Sequence, residues 1–141
     1  MTPDQLFQLA NPLALLGWLV LLAAPVAPRL AQAISAALIP LLLALAYTGL
    51  VLAFWWEAPG GFGSLPEVQA LFTHPQIALA GWLHYLAFDL FLGAWEVRTA
   101  RAEGIPHWAA IPCLILTFLF GPAGLLAFAA LRFTLVRKVL P

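Results

Sequence analysis

Charge is what this chain has least of. Only 9% of its 141 residues are Asp, Glu, Lys or Arg, where a soluble domain carries roughly a quarter. With 64% of the residues hydrophobic, too little polar surface is left for a dissolved globule. The expectation is an integral membrane protein whose first partner is the lipid bilayer. Six basic residues balance six acidic ones and form no extended patch, so nucleic acid is not an expected partner. Cysteine is nearly absent as well. Cys113 stands alone, which excludes an intramolecular disulfide and a cysteine zinc site. Lying in an apolar stretch, it reads as a small buried hydrophobe. No basic segment precedes the first apolar run, and that run is longer than the core of a signal peptide. No Arg- and Ser-rich transit segment precedes it either, so the expected location is a bacterial inner membrane.

What the chain does have is four apolar segments, each near the roughly 20 residues that cross a bilayer. They run about 3–24, 30–56, 74–98 and 106–133. The fold class expected is all-α: one domain over residues 1–141, an integral membrane bundle of four antiparallel transmembrane helices. Thr2-Pro3-Asp4-Gln5 is a capping box with proline in the first turn. Ser64-Leu65-Pro66-Glu67 and Thr73-His74-Pro75-Gln76 repeat the pattern. The first of these predicts a short interfacial helix from Pro66 to Phe72 inside the connector 57–73. Pro40 predicts a kink in the second span, and Pro112 with Gly121-Pro122-Ala123-Gly124 predicts interruptions in the fourth. Ala14–Leu19 resembles Ala78–Leu83, and Ile39-Pro40 with Gly49 resembles Ile111-Pro112 with Gly121 at equal spacing. Two repeated helix hairpins would explain this. With alternating helices, Arg29, Arg98 and Arg101 fall on one side and Arg132, Arg137 and Lys138 on the other. Three against three gives the positive-inside rule nothing to weigh. Gly17, Gly49, Gly81, Gly93 and Gly121 allow close helix contact within or between chains, so a homo-oligomer is compatible with the sequence.

The third span carries His84, Asp89 and Glu96 within an apolar run. Ionisable groups at membrane depth are costly and are functional candidates by default. Asp89 and Glu96 are seven apart and nearly eclipse, with Tyr85 and Gly93 on the same stripe. His84 lies about 140° around the helix from Asp89. His107, opening the fourth span, is expected at the depth of Glu96 and about 18 Å from His84 along the axis. That spread argues against a metal centre or a shared haem, so neither metal nor cofactor is expected. A purely structural role is the competing account: Asp89 bonded by Tyr47, Thr48 or Tyr85, and Glu96 and His107 paired with Arg98 or Arg101. The functional account is acid–base work in a dry pocket. Desolvation disfavours a carboxylate, which leaves Asp89 able to donate a proton, with His84 as its complement.

Trp82-Leu83-His84, Asp89-Leu90-Phe91, Pro106-His107, Pro112-Cys113 and Phe120-Gly121-Pro122-Ala123-Gly124-Leu125 together resemble the abscisic-acid-deficient-four-like family. These are small four-span membrane proteins, and the plant members are required to make neoxanthin from violaxanthin. The resemblance covers essentially the whole chain and is densest from Gly81 to Leu131. It implies a carotenoid-related isomerase that opens a 5,6-epoxide to an allene with a free hydroxyl, a change that formally needs no redox cofactor. The positions that carry over are His84, Asp89, His107 and the Gly121-Pro122 break. The plant members have a plastid transit segment that has no counterpart here.

The resulting expectation is a membrane isomerase acting on a carotenoid or related isoprenoid. Asp89 is the acid, His84 its partner, and Glu96 with His107 a gate or relay. Tyr85, Trp82, Phe88, Gly93 and Tyr47 are the expected substrate contacts. Two other functions fit the same residues: a non-catalytic lipid- or pigment-binding module, and a small proton or solute carrier.

Overall fold

A computed structural model describes residues 2–137, and all of its regular structure is helical. Four helices are long and apolar enough to cross a membrane. We number them with the short connector helix in chain order: α1 (Pro3–Leu22), α2 (Pro28–Glu57), α3 (Leu65–Leu71), α4 (Pro75–Ala102) and α5 (His107–Val136). The chain is an integral membrane helical bundle.

The helix starts follow local chemistry. Thr2 and Gln5 form the reciprocal capping box that opens α1. At α3 the Ser64 hydroxyl accepts from the Glu67 amide, but the Glu67 carboxylate turns back to the Gly63 amide instead of closing a box. The box expected at Thr73 does not form. His74 is the cap residue and makes no capping bond, while the Thr73 hydroxyl donates to the Ala70 carbonyl. In α2 the missing amide of Pro40 is absorbed by a π-helical turn over Ala33–Leu38, with the Ile39 amide donating five residues back to Ile34. The buried Ser35 in this turn donates to the Gly17 carbonyl at 2.8 Å and ties α2 to α1.

The central element is α4. It packs along α2, α1 and α5, and more of it is buried than of any other long helix. Leu83, Leu90 and Ala94 are wholly enclosed, as are Leu21 of α1 and Phe128 of α5. Large apolar side chains elsewhere face outward, such as Leu41, Leu45, Leu52 and Leu126, as expected where lipid is the solvent.

The fourth apolar segment departs from a simple crossing. Phe120 leaves helical geometry (φ −148°, ψ 57°) just before Gly121-Pro122, and there the chain reverses. A methyl added at Gly124 would collide with the backbone of Thr117. In a straight helix those residues lie about 10 Å apart along the axis. Further on, Phe128 packs edge-on against Trp95 and joins Ala110 and Cys113 in one buried cluster. Arg132 then pairs with Glu103, at the end of α4, at 2.6 Å. Helix α5 is therefore a re-entrant hairpin. Residues 107–119 run inward along α1 and α4, and residues 121–136 return to the side they came from. Its tip meets Asp89, which is fourteen residues from the start of α4 and thirteen from its end.

This corrects the expected distribution of charge. Arg29, Arg98, Arg101, Arg132 and Arg137 share one face of the bundle, while Asp4, Glu57 and Glu67 lie at the opposite end. Lys138 lies outside the described residues. The sequence repeat is not matched by repeated architecture. The first pair is two crossing helices, whereas the second is one crossing helix and a hairpin.

Candidate functional site: the hairpin tip

Reversing a chain inside a membrane exposes backbone groups that have no water to bond. Pro122 has no amide for the carbonyl four residues back, so Phe118 and Leu119 end the inward half with unfilled acceptors. Tyr85 supplies the donor. Its hydroxyl lies 3.0 Å from the Phe118 carbonyl and 2.9 Å from that of Leu119. One turn along α4, Asp89 serves the other half. Its carboxyl rests on Gly121, where an added methyl would overlap both carboxyl oxygens, and it faces the Gly121 amide at the start of the returning helix. An acid at a helix N-terminus is electrostatically favourable. Tyr85 and Asp89, four residues apart on one face, thus cap the two broken ends from a single neighbouring helix. Asp89 Oδ2 is buried without a hydrogen-bond partner among the described residues.

The tip also closes one end of a cavity of about 460 Å³ between α1, α4 and α5. Its walls are Asn11, Pro12, Ala14, Leu15, Trp18, Trp82, Tyr85, Leu86, Asp89, Phe118 and Leu119, and Asp89 is the only ionisable carboxyl among them. Asn11 accepts a 2.9 Å bond from the Trp82 indole, so two of the polar wall groups fix each other. A narrower apolar groove of about 150 Å³ shares Leu15, Trp18 and Phe118 and continues past Leu19, Leu22, Leu114 and Ile115.

Of the residues singled out in the sequence, the cavity gathers Trp82, Tyr85 and Asp89. The others lie elsewhere. His84 is exposed, packed between Phe88 (ring centroids 4.7 Å) and Tyr47 (5.8 Å), on the side of α4 that meets α2. Gly93 is covered by the Trp18 ring and lines no wall. Glu96 is fully enclosed, accepting a 2.8 Å bond from Thr117 with Oε2 unpartnered among the described residues. It does not pair with Arg98, which donates to Gln32 instead. His107 donates to the terminal carbonyl of α1 at Leu22 (3.0 Å). Thr117 lies ten residues, about 15 Å, beyond His107 on the same half-helix, so Glu96 and His107 do not meet. Asn11, Trp18 and Phe118 had given no sequence signal, because apolar and amide side chains of α1 and α5 become a site only through the reversal. Among the described residues no cluster of His, Cys, Asp or Glu could hold a metal ion.

No curated protein and no solved structure matches the chain significantly. The family model described as ABA DEFICIENT 4-like matches residues 5–128, which include the inward half of the hairpin, its tip, the first part of the returning half and every wall of the cavity, and on that match the chain belongs to the ABA DEFICIENT 4-like family.

Proposed function

We propose that the cavity takes the end group of a carotenoid or related isoprenoid and that Asp89 isomerises it by acid–base chemistry. The observation that carries this reading is a single carboxyl in the wall of a mainly apolar, aromatic cavity near the middle of α4. The adjoining groove, open toward lipid, suits the polyene chain. Membership in a family associated with neoxanthin and abscisic acid biosynthesis supports a carotenoid-related membrane role.

For an epoxide end group the step balances without an oxidant. The Asp89 O–H gives its proton to the epoxide oxygen and the allylic C–O bond breaks. The adjacent vinylic carbon passes a proton to the Asp89 carboxylate, and its C–H electron pair becomes the second double bond of the allene. The proton lost equals the proton given, so substrate and product are isomers. Tyr85 positions Asp89 in this scheme, and His84, expected as the complement of the acid, is not among the cavity walls.

A second reading has its own support. Asp89 and Tyr85 already have structural work at the tip, which suits a pigment-binding module that performs no chemistry.

The test uses full-length protein in liposomes loaded with a 5,6-epoxycarotenoid, with pigments analysed by chromatography and mass spectrometry. Wild type should yield an isomer of unchanged mass. Asp89→Asn keeps an acceptor and an amide of the same shape, so it should stay folded and hold pigment while turnover drops by about 10²–10⁴-fold. Full turnover in that variant would remove Asp89 from the chemistry. Unaltered bound pigment in both proteins would establish the binding module.

A further inference from the structure

The hairpin gathers the chain's arginines on one face, and that face contains an open cleft of about 840 Å³. Arg29, from the first turn of α2, and Arg101, from the last turn of α4, stand in its walls. Gln32 also stands in the wall, its amide donating to the Ala94 carbonyl and accepting from Arg98, and Ala27, Pro28 and Leu30 make the remaining wall apolar. Two cations from separate elements in one cleft repel each other unless an anion lies between them. No carboxylate among the described residues supplies that anion. Glu103 is the one carboxylate on this face among the described residues, and it is engaged by Arg132. Arg98 is held by Gln32. Among the described residues, Arg29 and Arg101 have no ion-pair partner. The apolar part of the cleft is continuous with exposed Val26 and Leu30 at the membrane boundary, so an occupant can be charged at one end and oily at the other.

We infer that this cleft binds the phosphate headgroup of an anionic phospholipid, with Arg29 and Arg101 on the phosphate and the acyl chains along Leu30 and Val26. Guanidinium groups match phosphate oxygens in paired hydrogen bonds, which favours this pairing over a carboxylate ligand held by one side chain. The site lies at the opposite end of α4 from α3 and does not depend on the chemistry at Asp89. Its role is to fix the protein against the charged leaflet.

The experiment is native mass spectrometry of the full chain released from vesicles of phosphatidylcholine with phosphatidylglycerol in equal parts. Wild type should retain phosphatidylglycerol preferentially. Arg29→Gln and Arg101→Gln should each reduce the preference roughly fivefold, and the double variant about 25-fold. Arg137→Gln, on the same face but outside the cleft, should leave it unchanged. Equal loss in Arg137→Gln would show diffuse attraction to the face and overturn the site. A double variant with wild-type preference would overturn it outright. Inorganic phosphate added at tens of millimolar should not displace the lipid. Displacement would reassign the cleft to a soluble phosphate compound.

Discussion

Helices α2 and α5 each meet a proline in their interior, and they respond in opposite ways. At Pro40 the helix widens by one π turn and continues, and it faces the same direction before and after. At Pro122 the chain reverses. Proline alone therefore does not decide the outcome. The difference lies in what surrounds the break. In α2, Ser35 bonds outward to α1 and the backbone ladder resumes. In α5 a glycine precedes the proline, and α4 offers a hydroxyl to one broken end and a carboxyl to the other. A reversal in lipid persists only where a neighbour satisfies the exposed backbone, and Tyr85 with Asp89 is that neighbour.

The largest consequence is topological. With α5 re-entrant, the chain crosses three times, and the arginine face should lie in the cytoplasm by the positive-inside rule. Single-cysteine variants in a Cys113→Ala background test this in intact cells. Positions 29 and 137 should be shielded together from a membrane-impermeant thiol reagent, while position 62 on the opposite face should label. Labelling at 137 together with 62 would mean that α5 crosses fully and would undo the hairpin. Replacing Phe120-Gly121-Pro122 by three leucines should produce that pattern.

A smaller effect should separate the two glycines that the sequence repeat pairs. Gly49 has open space where a side chain would go, whereas Gly121 has the Asp89 carboxyl. Gly121→Ala should destabilise by about 1–3 kcal/mol through overpacking. Gly49→Ala should be neutral, or stabilise by up to about 1 kcal/mol from helix propensity. Thermal unfolding in one detergent checks both. Equal shifts would mean that the tip is not close-packed.

The same contrast sets what the sequence made legible. Hydropathy and caps predict four long apolar helices, because those signals are local. The interruption at Gly121-Pro122 is legible as well, but its direction is not, since a kink and a reversal use the same residues. That one ambiguity hid the charge asymmetry, because Arg132 and Arg137 change sides with it. Asp89, which lies in the cavity wall, was visible as an intramembrane carboxyl. His84 was misplaced as its partner: a 140° offset on α4 puts it toward Tyr47, and no rotation or kink in α4 brings it back. Trp18 and Asn11 were invisible, because their role depends on which half of α5 lies beside α1.

The finest test compares the two hydroxyls nearest the two prolines. Ser35 makes one bond, to a carbonyl on a neighbouring helix, and the π turn around it has its own backbone partners. Ser35→Ala should cost about 0.6 kcal/mol, the average for a polar contact between membrane helices. Tyr85 answers two carbonyls that end the inward half-helix, so Tyr85→Phe leaves them without that donor in a lipid environment. Its cost should approach the upper end for such contacts, about 1.7 kcal/mol. The ring stays in place against Trp82, so lost packing cannot account for the difference. Steric trapping or denaturant titration in bilayers resolves a gap of that size. If the two variants cost the same, the hydroxyl is one contact among many, and what holds the reversal is the Asp89 carboxyl against Gly121. If Tyr85→Phe costs more and also slows turnover, then stability and chemistry depend on the same pair of α4 side chains.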